Sequence, residues 1–312
     1  MEYRHLGDSD LIVSAVGLGT NNFAGPLEDE AAKAVLNASL ELGVTFIDTA
    51  DIYGRGSEEG LGASENQLGR LLTGRRGRFV LATKFGFPMS DSPLERGASR
   101  RWILTELENS LRRLRTDYVD LYQVHTPDPE TPIEETLRAL DDLVRSGKVR
   151  YVGHSNFSAW QIADADRIAR AGHLTRPISA QMHYNLLVRD IQAEVIPACQ
   201  ALGLGIIPYF PLQSGFLTGK FRRDGQGTGR LSQSARAAEV MTPANFDRIE
   251  GFERLAAAGD HSLLDLAFGW LLSQPIVGSV IASASTPEQV RANVAAAEWR
   301  LSAEEMEAVA AL

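Results

Sequence analysis

Eight short apolar segments, each followed by a stretch with helical periodicity, leave this chain few architectures to adopt. The candidate strands are AVGLGT (15–20), TFID (45–48), FVLATK (79–84), VDLYQVH (119–125), YVGHS (151–155), SAQMH (179–183), GIIPY (205–209) and IVGSVIA (276–282). Several are apolar without clean alternation, the pattern of strands buried on both faces. Between them apolar residues recur with a period near 3.6. Ala31, Val35, Ala38 and Leu42 share one face; so do Ile103, Leu107, Leu111 and Leu114, and Ile133, Leu137, Leu140 and Val144. Gly43 and Gly147 fall just past two of these stretches, where a helix stop favours a left-handed residue. Ser158 is placed to cap a later helix. Thr286-Pro287-Glu288-Gln289 and Ser302-Ala303-Glu304-Glu305 both read as capping boxes. The alternation predicts a parallel (β/α)8 TIM barrel.

A doubly wound open sheet is the alternative. It would normally carry G-x-G-x-x-G, yet Gly17-x-Gly19 is followed by Asn22 and Gly203-x-Gly205 by Pro208, where a third glycine belongs. The first residues, EYRHLGDSDLIVS, read as a hairpin turning at Gly7-Asp8, placed to plug one end of the barrel. Segments 86–99 and 219–236 read as loops after the third and seventh strands, and neither is biased enough to link two domains. At 312 residues with 44% hydrophobic content, one barrel domain spanning 1–312 is expected.

A formal net charge of -9 argues against nucleic acid or an anionic membrane as a partner. The one cysteine, Cys199, has no internal partner and reads as a small buried hydrophobe. The N-terminus is charged and lacks an apolar stretch, and no apolar run approaches membrane-spanning length, so a soluble cytoplasmic protein is expected.

In such a barrel, chemistry collects at the carboxyl ends of the strands. Asp48 ends the second strand, Lys84 the third and His125 the fourth, while Tyr53 hangs from the loop after Asp48. Ser155 and Asn156 end the fifth, Gln181 lies near the end of the sixth and Tyr209 ends the seventh. Taken singly, each has a plainer reading: a loop acceptor, a surface lysine, a satisfied histidine, a packing phenol. Convergence shifts the balance. A lysine drawn into a barrel mouth needs a counter-charge, and Asp48 sits on the neighbouring strand. The ammonium beside Tyr53 is expected to lower a phenol pKa of about 10 and fit it for general acid–base work. His125 is placed to hydrogen-bond and polarise a carbonyl oxygen. These parts protonate a carbonyl oxygen but supply no hydride, so a bound reductant is needed.

These residues lie in motifs that resemble the aldo-keto reductases over nearly the whole chain: GLGTNNFAG, FIDTADIYG, ASENQLGRLL, LATKFG, DYVDLYQVH, VRYVGHSNF, QMHYNLLVR, PYFPLQSGFLTGKF and TPEQVRAN. The resemblance implies that Asp48, Tyr53, Lys84 and His125 form the family's catalytic tetrad. It also implies NADPH, or less often NADH, laid across the barrel mouth. The nicotinamide carboxamide would lie on Ser155, Asn156 and Gln181, with the ring stacked on Tyr209 and Gly19 and Thr20 nearby. Leu212, Ser214, Leu217 and Lys220 fall on the pyrophosphate-and-ribose segment, with Phe210, Pro211, Gln213 and Gly215 in the same cofactor-contacting run. Ser283, Ser285, Gln289 and Asn293 fall on the adenosine segment, where the free N–H groups of a helix start suit a phosphate.

The sequence departs from its relatives at Ser283, where many carry Gly or Lys, and its run Ala-Ser-Ala-Ser-Thr lacks the basic residue that often follows. A 2′-phosphate would then fall to hydroxyls, Gln289 or Arg291, and NADH stays possible. Phe210 and Gln213 replace the commoner Ser and Gly. His154 replaces a small or apolar residue, and strand alternation points it away from Ser155's side. With Leu312 just past the last helical pattern, the substrate pocket is expected to be open, or built by the 86–99 and 219–236 loops. Phe23, Phe85 and Trp102 are pocket or core candidates alike. Two other functions fit parts of the pattern. One is a nucleotide-binding accessory or sensor subunit, which some family members are. The other, remote, is a metal-dependent hydrolase using His125, His154 and His183.

Overall fold

The chain follows the alternation closely. The architecture comes from a computed structural model that describes residues 1–225, 227, 229–233 and 236–312. Strands β1 (Tyr3–His5) and β2 (Ile12–Ser14) form an antiparallel hairpin. Then come β3 (Val16–Gly19), α1 (Asp29–Glu41), β4 (Phe46–Asp48), α2 (Ala63–Leu71), β5 (Val80–Phe85), α3 (Arg100–Leu114), β6 (Val119–Val124) and α4 (Ile133–Arg145). They are followed by β7 (Val149–Ser155), α5 (Ala159–Ala171), β8 (Ser179–His183), α6 (Val195–Leu202) and β9 (Gly205–Tyr209). Helices α7 (Ala237–Val240), α8 (Pro243–Ala258) and α9 (Leu263–Leu272) precede β10 (Val280–Ser283), and α10 (Pro287–Ala296) and α11 (Ala303–Ala310) complete the order.

The larger sheet is all parallel in the order β10-β3-β4-β5-β6-β7-β8-β9. Its two edges meet through a bridge between Ile206 and Val277, with Ile206 N donating to Ile276 O at 2.8 Å. The last strand is therefore shorter than IVGSVIA suggests: residues 276–278 close the barrel against β9, and the ladder with β3 starts only at Val280.

Strand period two sorts side chains into two compartments. One set packs outward under the helices and forms the main core. The other points into the barrel. Its lower layer is apolar: Phe46, Ala82, Leu121, Ile207 and Ile281 pack with Leu6, Leu11 and Val13 of the hairpin. The hairpin is thus the expected plug. Arg4 pins it by donating to Val277 O and Leu272 O, both at 2.8 Å. Two residues further along the same inward faces stand Asp48, Lys84 and Gln123, at the opposite end of the barrel.

Two sequence expectations need adjustment. In α1 the buried face runs through Ala32, Val35, Leu36, Ala38 and Ser39, and Ala31 is exposed, because the buried stripe lies one residue further round the helix. At α10, Thr286 Oγ1 accepts from Gln289 N as expected, but Gln289 Oε1 accepts from Ser285 N rather than from Thr286. Ser302 and Glu305 make the full reciprocal box. Cys199 is buried, and burial pushes its thiol up to about 12, which fits a packing role. No helix is long and apolar enough to cross a membrane among the described residues.

Helix α2, which follows the Tyr53 loop, approaches the end of α3 closely at Gly69: a Cβ there would lie 2.1 Å from Arg113 O. Gly69→Ala should therefore push the two helices apart and cost about 1–3 kcal/mol, read as a lower urea midpoint; an unchanged midpoint would show that α3 yields freely.

Candidate active site

The loop after β4 carries the central groups because it keeps pairing with β5 beyond the strand. Thr49 N donates to Ala82 O at 2.9 Å and Asp51 N to Lys84 O at 3.1 Å. The chain then turns at Gly54, whose φ of 105° and contact with Ala63 leave no room for a side chain. Tyr53 is thereby held over Lys84.

Lys84 is fully buried. Its Nζ donates to Asp48 Oδ2 at 2.6 Å, to Thr49 O at 2.8 Å and to Tyr53 Oη at 3.3 Å. Asp48 Oδ1 accepts from Gln181 Nε2 at 2.9 Å and Gln123 Nε2 at 3.3 Å. Burial works against the Lys84 ammonium, but Asp48 and then Tyr53 more than offset it, and the pKa is raised. The Tyr53 phenol does not behave as the sequence suggests. Burial outweighs the Lys84 field, and its pKa is raised rather than lowered. Tyr53 therefore keeps its phenolic proton.

His125 stands across from it, ring centroids 6.0 Å apart and edge to face. Burial, with Lys84 adding to it, drives the His125 pKa well down, so the imidazole is neutral. Phe87, from the 86–99 loop, packs edge-on to His125 at 4.6 Å. Phe23, Phe85 and Trp102 are all buried in the core, so the aromatic that reaches the mouth is one the sequence did not single out.

The remaining predicted residues lie along the rim from β7 round to β10. Gly19 pairs with both Asp48 and Ser283, and Thr20 Oγ1 donates to Asp48 O at 3.1 Å. Ser155 Oγ donates to Gln181 O at 2.9 Å. Asn156 has a φ of 62°; its Nδ2 donates to His125 O at 3.0 Å and its Oδ1 accepts from Tyr209 Oη at 2.9 Å. Gln181 lies deeper than the sequence suggests, its amide nitrogen committed to Asp48. Phe210, Gln213, Ser214 and Gly215 all have positive φ. Pro211 and Leu217 are buried, and Leu212 O accepts from Gly215 N and Leu217 N. Lys220 reaches back to this turn: a Cβ on Gly215 would meet its Nζ at 2.9 Å. Ser283 Oγ donates to Asn21 Oδ1 at 2.8 Å, Ser285 Oγ accepts from Asn22 at 3.2 Å, and Asn293 is buried. Arg291 pairs with Glu288 at 2.9 Å. Of the 219–236 loop, residues 226, 228, 234 and 235 lie outside the described residues.

His125, His154 and His183 do not share a site. His154 stacks on Phe157 away from the mouth, and burial pushes its imidazole down to about 4. His183 stacks instead on Tyr209. Among the described residues, no group of three or more His, Cys, Asp or Glu is placed to hold a metal ion.

Two neighbours escaped the sequence reading. Gln123 was legible from strand alternation, two residues before His125 and on its face. Asp51 was not, because nothing local marks it. It is fully buried, and among the described residues neither carboxyl oxygen has a hydrogen-bond partner. Behind it, Arg113 is shared between Glu65 (2.6 Å) and Glu106. Burial first, then the charges of Glu65 and Glu106, hold the Asp51 pKa well above 3.8.

A (β/α)8 barrel with a Lys–Asp–Tyr cluster at its mouth agrees with what the comparisons find. The model of the Aldo/keto reductase family matches residues 15–312. The chain is 36% identical over 311 residues to "Uncharacterized oxidoreductase YrpG" of Bacillus subtilis, covering 97% of this chain and 93% of that protein. It is 35% identical over 308 residues to a "Probable voltage-gated potassium channel subunit beta" of Oryza sativa subsp. japonica, covering 95% of this chain and 91% of that protein. It is 33% identical over 307 residues to "L-glyceraldehyde 3-phosphate reductase" of Escherichia coli K12, covering 95% and 87%. The chain belongs to the aldo/keto reductase family.

The sign of the Asp51 effect on stability is fixed. An Asp whose folded pKa lies above its unfolded value contributes stability that is fully present below about pH 4 and is lost as pH rises through the folded value. Asp51→Asn cannot lose that proton. It should melt higher than the parent at neutral pH, with the difference closing toward pH 4; a parent and variant that track each other from pH 4 to 9 would mean Asp51 is not held neutral.

Proposed function

We propose that this protein is a reversible, NAD(P)H-dependent carbonyl reductase, with NADPH the favoured coenzyme and NADH possible, and that residues 1–312 act as one barrel domain. The observation that carries this reading is the position of Lys84 Nζ, 2.6 Å from Asp48 and 3.3 Å from the Tyr53 hydroxyl, with neutral His125 opposite.

The rim fits a dinucleotide. Asn156 and Tyr209 would hold the nicotinamide end, with Ser155 and Gln181 beneath them. The left-handed turn 213–215, with the Lys220 ammonium against it, suits a pyrophosphate: successive backbone N–H groups and a cation converge on one spot. Ser283, Ser285, Gln289 and Asn293 would take the adenosine end. When bound, the reduced nicotinamide supplies a hydride.

The chain's own residues handle the proton. An aldehyde or ketone oxygen between Tyr53 and His125 accepts an imidazole N–H, which polarises the carbonyl. As negative charge builds on that oxygen, Tyr53 Oη releases its proton to it. Lys84 stabilises the phenolate left behind, and Asp48 keeps Lys84 charged and in place. Phe87, packed on His125, would shield that oxygen from water on one side. In the reverse direction Tyr53 recovers the proton from the alcohol.

A second reading, a nucleotide-binding accessory subunit, is favoured by the likeness to proteins named as potassium channel β subunits. It predicts coenzyme binding without turnover. Coenzyme oxidation with a panel of aldehydes and ketones separates the two, and no turnover with any of them would favour the accessory role. Tyr53→Phe should lower kcat on the order of 10²–10⁴-fold with coenzyme affinity retained; loss of coenzyme binding instead would contradict the proton-donor role. Asn156→Ala should weaken coenzyme binding about 5–10-fold, one hydrogen bond's worth, as read by titration of intrinsic fluorescence.

A further inference from the structure

The left-handed turn at the rim is held by side chains from beneath it. Gln213 has a φ of 44°, a conformation glycine adopts freely and glutamine does not. Something must hold it there. Its side chain is buried, and its Oε1 accepts from His183 Nε2 at 2.8 Å and from Asn185 Nδ2 at 2.9 Å. Asn185 is itself fully buried and also donates to Phe210 O at 2.9 Å, fixing the other end of the turn. Gln213 Oε1 can only accept, so His183 Nε2 is the donor of that bond, and Asn185 Nδ2 also lies 3.3 Å from His183 Nε2.

His183 serves a second surface at the same time. It is the direct register partner of Tyr209, and the two rings stack with centroids 5.3 Å apart and planes 14° off parallel. Phe210 closes the edge, its ring meeting Tyr209 at 5.4 Å and His183 at 5.7 Å, both edge to face. Tyr209 is further held at its tip by Asn156, which in turn bonds His125 O. One imidazole thus joins the turn 210–215 to the aromatic platform, and the platform to the residue facing Tyr53.

We propose that His183 and Gln213 are positioning residues for the dinucleotide, a single clamp that sets both the plane of the Tyr209 ring and the left-handed turn 210–215. The inference rests on the NAD(P)H reading above. It assigns Gln213 no side-chain contact with the coenzyme. Its effect is exerted through the backbone it holds, and that of His183 through the ring it backs.

The test is a double-mutant cycle on coenzyme affinity, with NADPH and NADH each titrated against intrinsic fluorescence. His183→Ala and Gln213→Ala should each weaken binding roughly 10-fold, as expected for a lost buried hydrogen bond and its supported stack. The double variant should be little worse than the weaker single, because either change releases the same clamp. Gln213→Gly guards against misfolding: it gives up the same hydrogen bonds but relieves the positive φ, so it should melt higher than Gln213→Ala and still release coenzyme faster than the parent in stopped flow. Additive losses in the cycle, or a Gln213→Gly variant that binds and releases coenzyme like the parent, would overturn the clamp while leaving the reductase reading intact. A parent protein that binds neither coenzyme would instead bring down both.

Discussion

The interaction on which the site depends is the ion pair between Lys84 and Asp48. Lys84 is fully buried and Asp48 nearly so, and neither charge has water to retreat to. Removing one partner of such a pair typically costs about 3–5 kcal/mol, because it strands the other charge. The surrounding bonds reflect that cost. Both Asp48 oxygens are occupied, by Lys84, Gln181 and Gln123, and Lys84 also takes Thr49 O. Four strands, β4, β5, β6 and β8, thus converge on one carboxylate. The barrel supplies them in fixed register, and an open sheet would not bring β4 and β8 together.

The pair's consequence for Tyr53 is subtler than proximity suggests. A cation beside a phenol is expected to acidify it, yet desolvation acts on the same group and here is the larger effect. The result suits a donor better than a base. In the proposed reduction the proton would stay on Tyr53 until charge develops on a neighbouring oxygen, and only then would the Lys84 ammonium find a phenolate to stabilise. His125, neutral because of desolvation and the same ammonium, would in that step add a hydrogen bond without adding charge.

Much of this was legible in the sequence because it follows from two periods. Period two along the strands put Asp48, Lys84 and His125 on one interior face, and the 3.6 period placed the helices outside. The eight strands and the hairpin were found, with boundaries off by a few residues. Ile276 to Gly278 misled because barrel closure, a long-range contact, decides where the last ladder begins. Residues whose role comes from distant partners were hidden. Asp51 looks like any loop aspartate until Glu65, Glu106 and Arg113 are folded against it. Phe87 was indistinguishable from the core aromatics near it. Gln213 read as an odd replacement for glycine until His183 and Asn185 gave it a reason.

The hairpin plug ties the two ends of the synthesis together. Leu6, Leu11 and Val13 are among the first residues made, yet the anchors of their hairpin include Gly203, Leu272 and Val277, all in the second half of the chain. Until those residues emerge, the floor of the barrel cannot be sealed, and a cluster of aliphatic side chains waits with part of its mating surface still unmade. A chain arrested before residue 200 would therefore present both an open sheet and an unseated hydrophobic stopper. That stopper cannot be fully seated until residues 203–277 have been made.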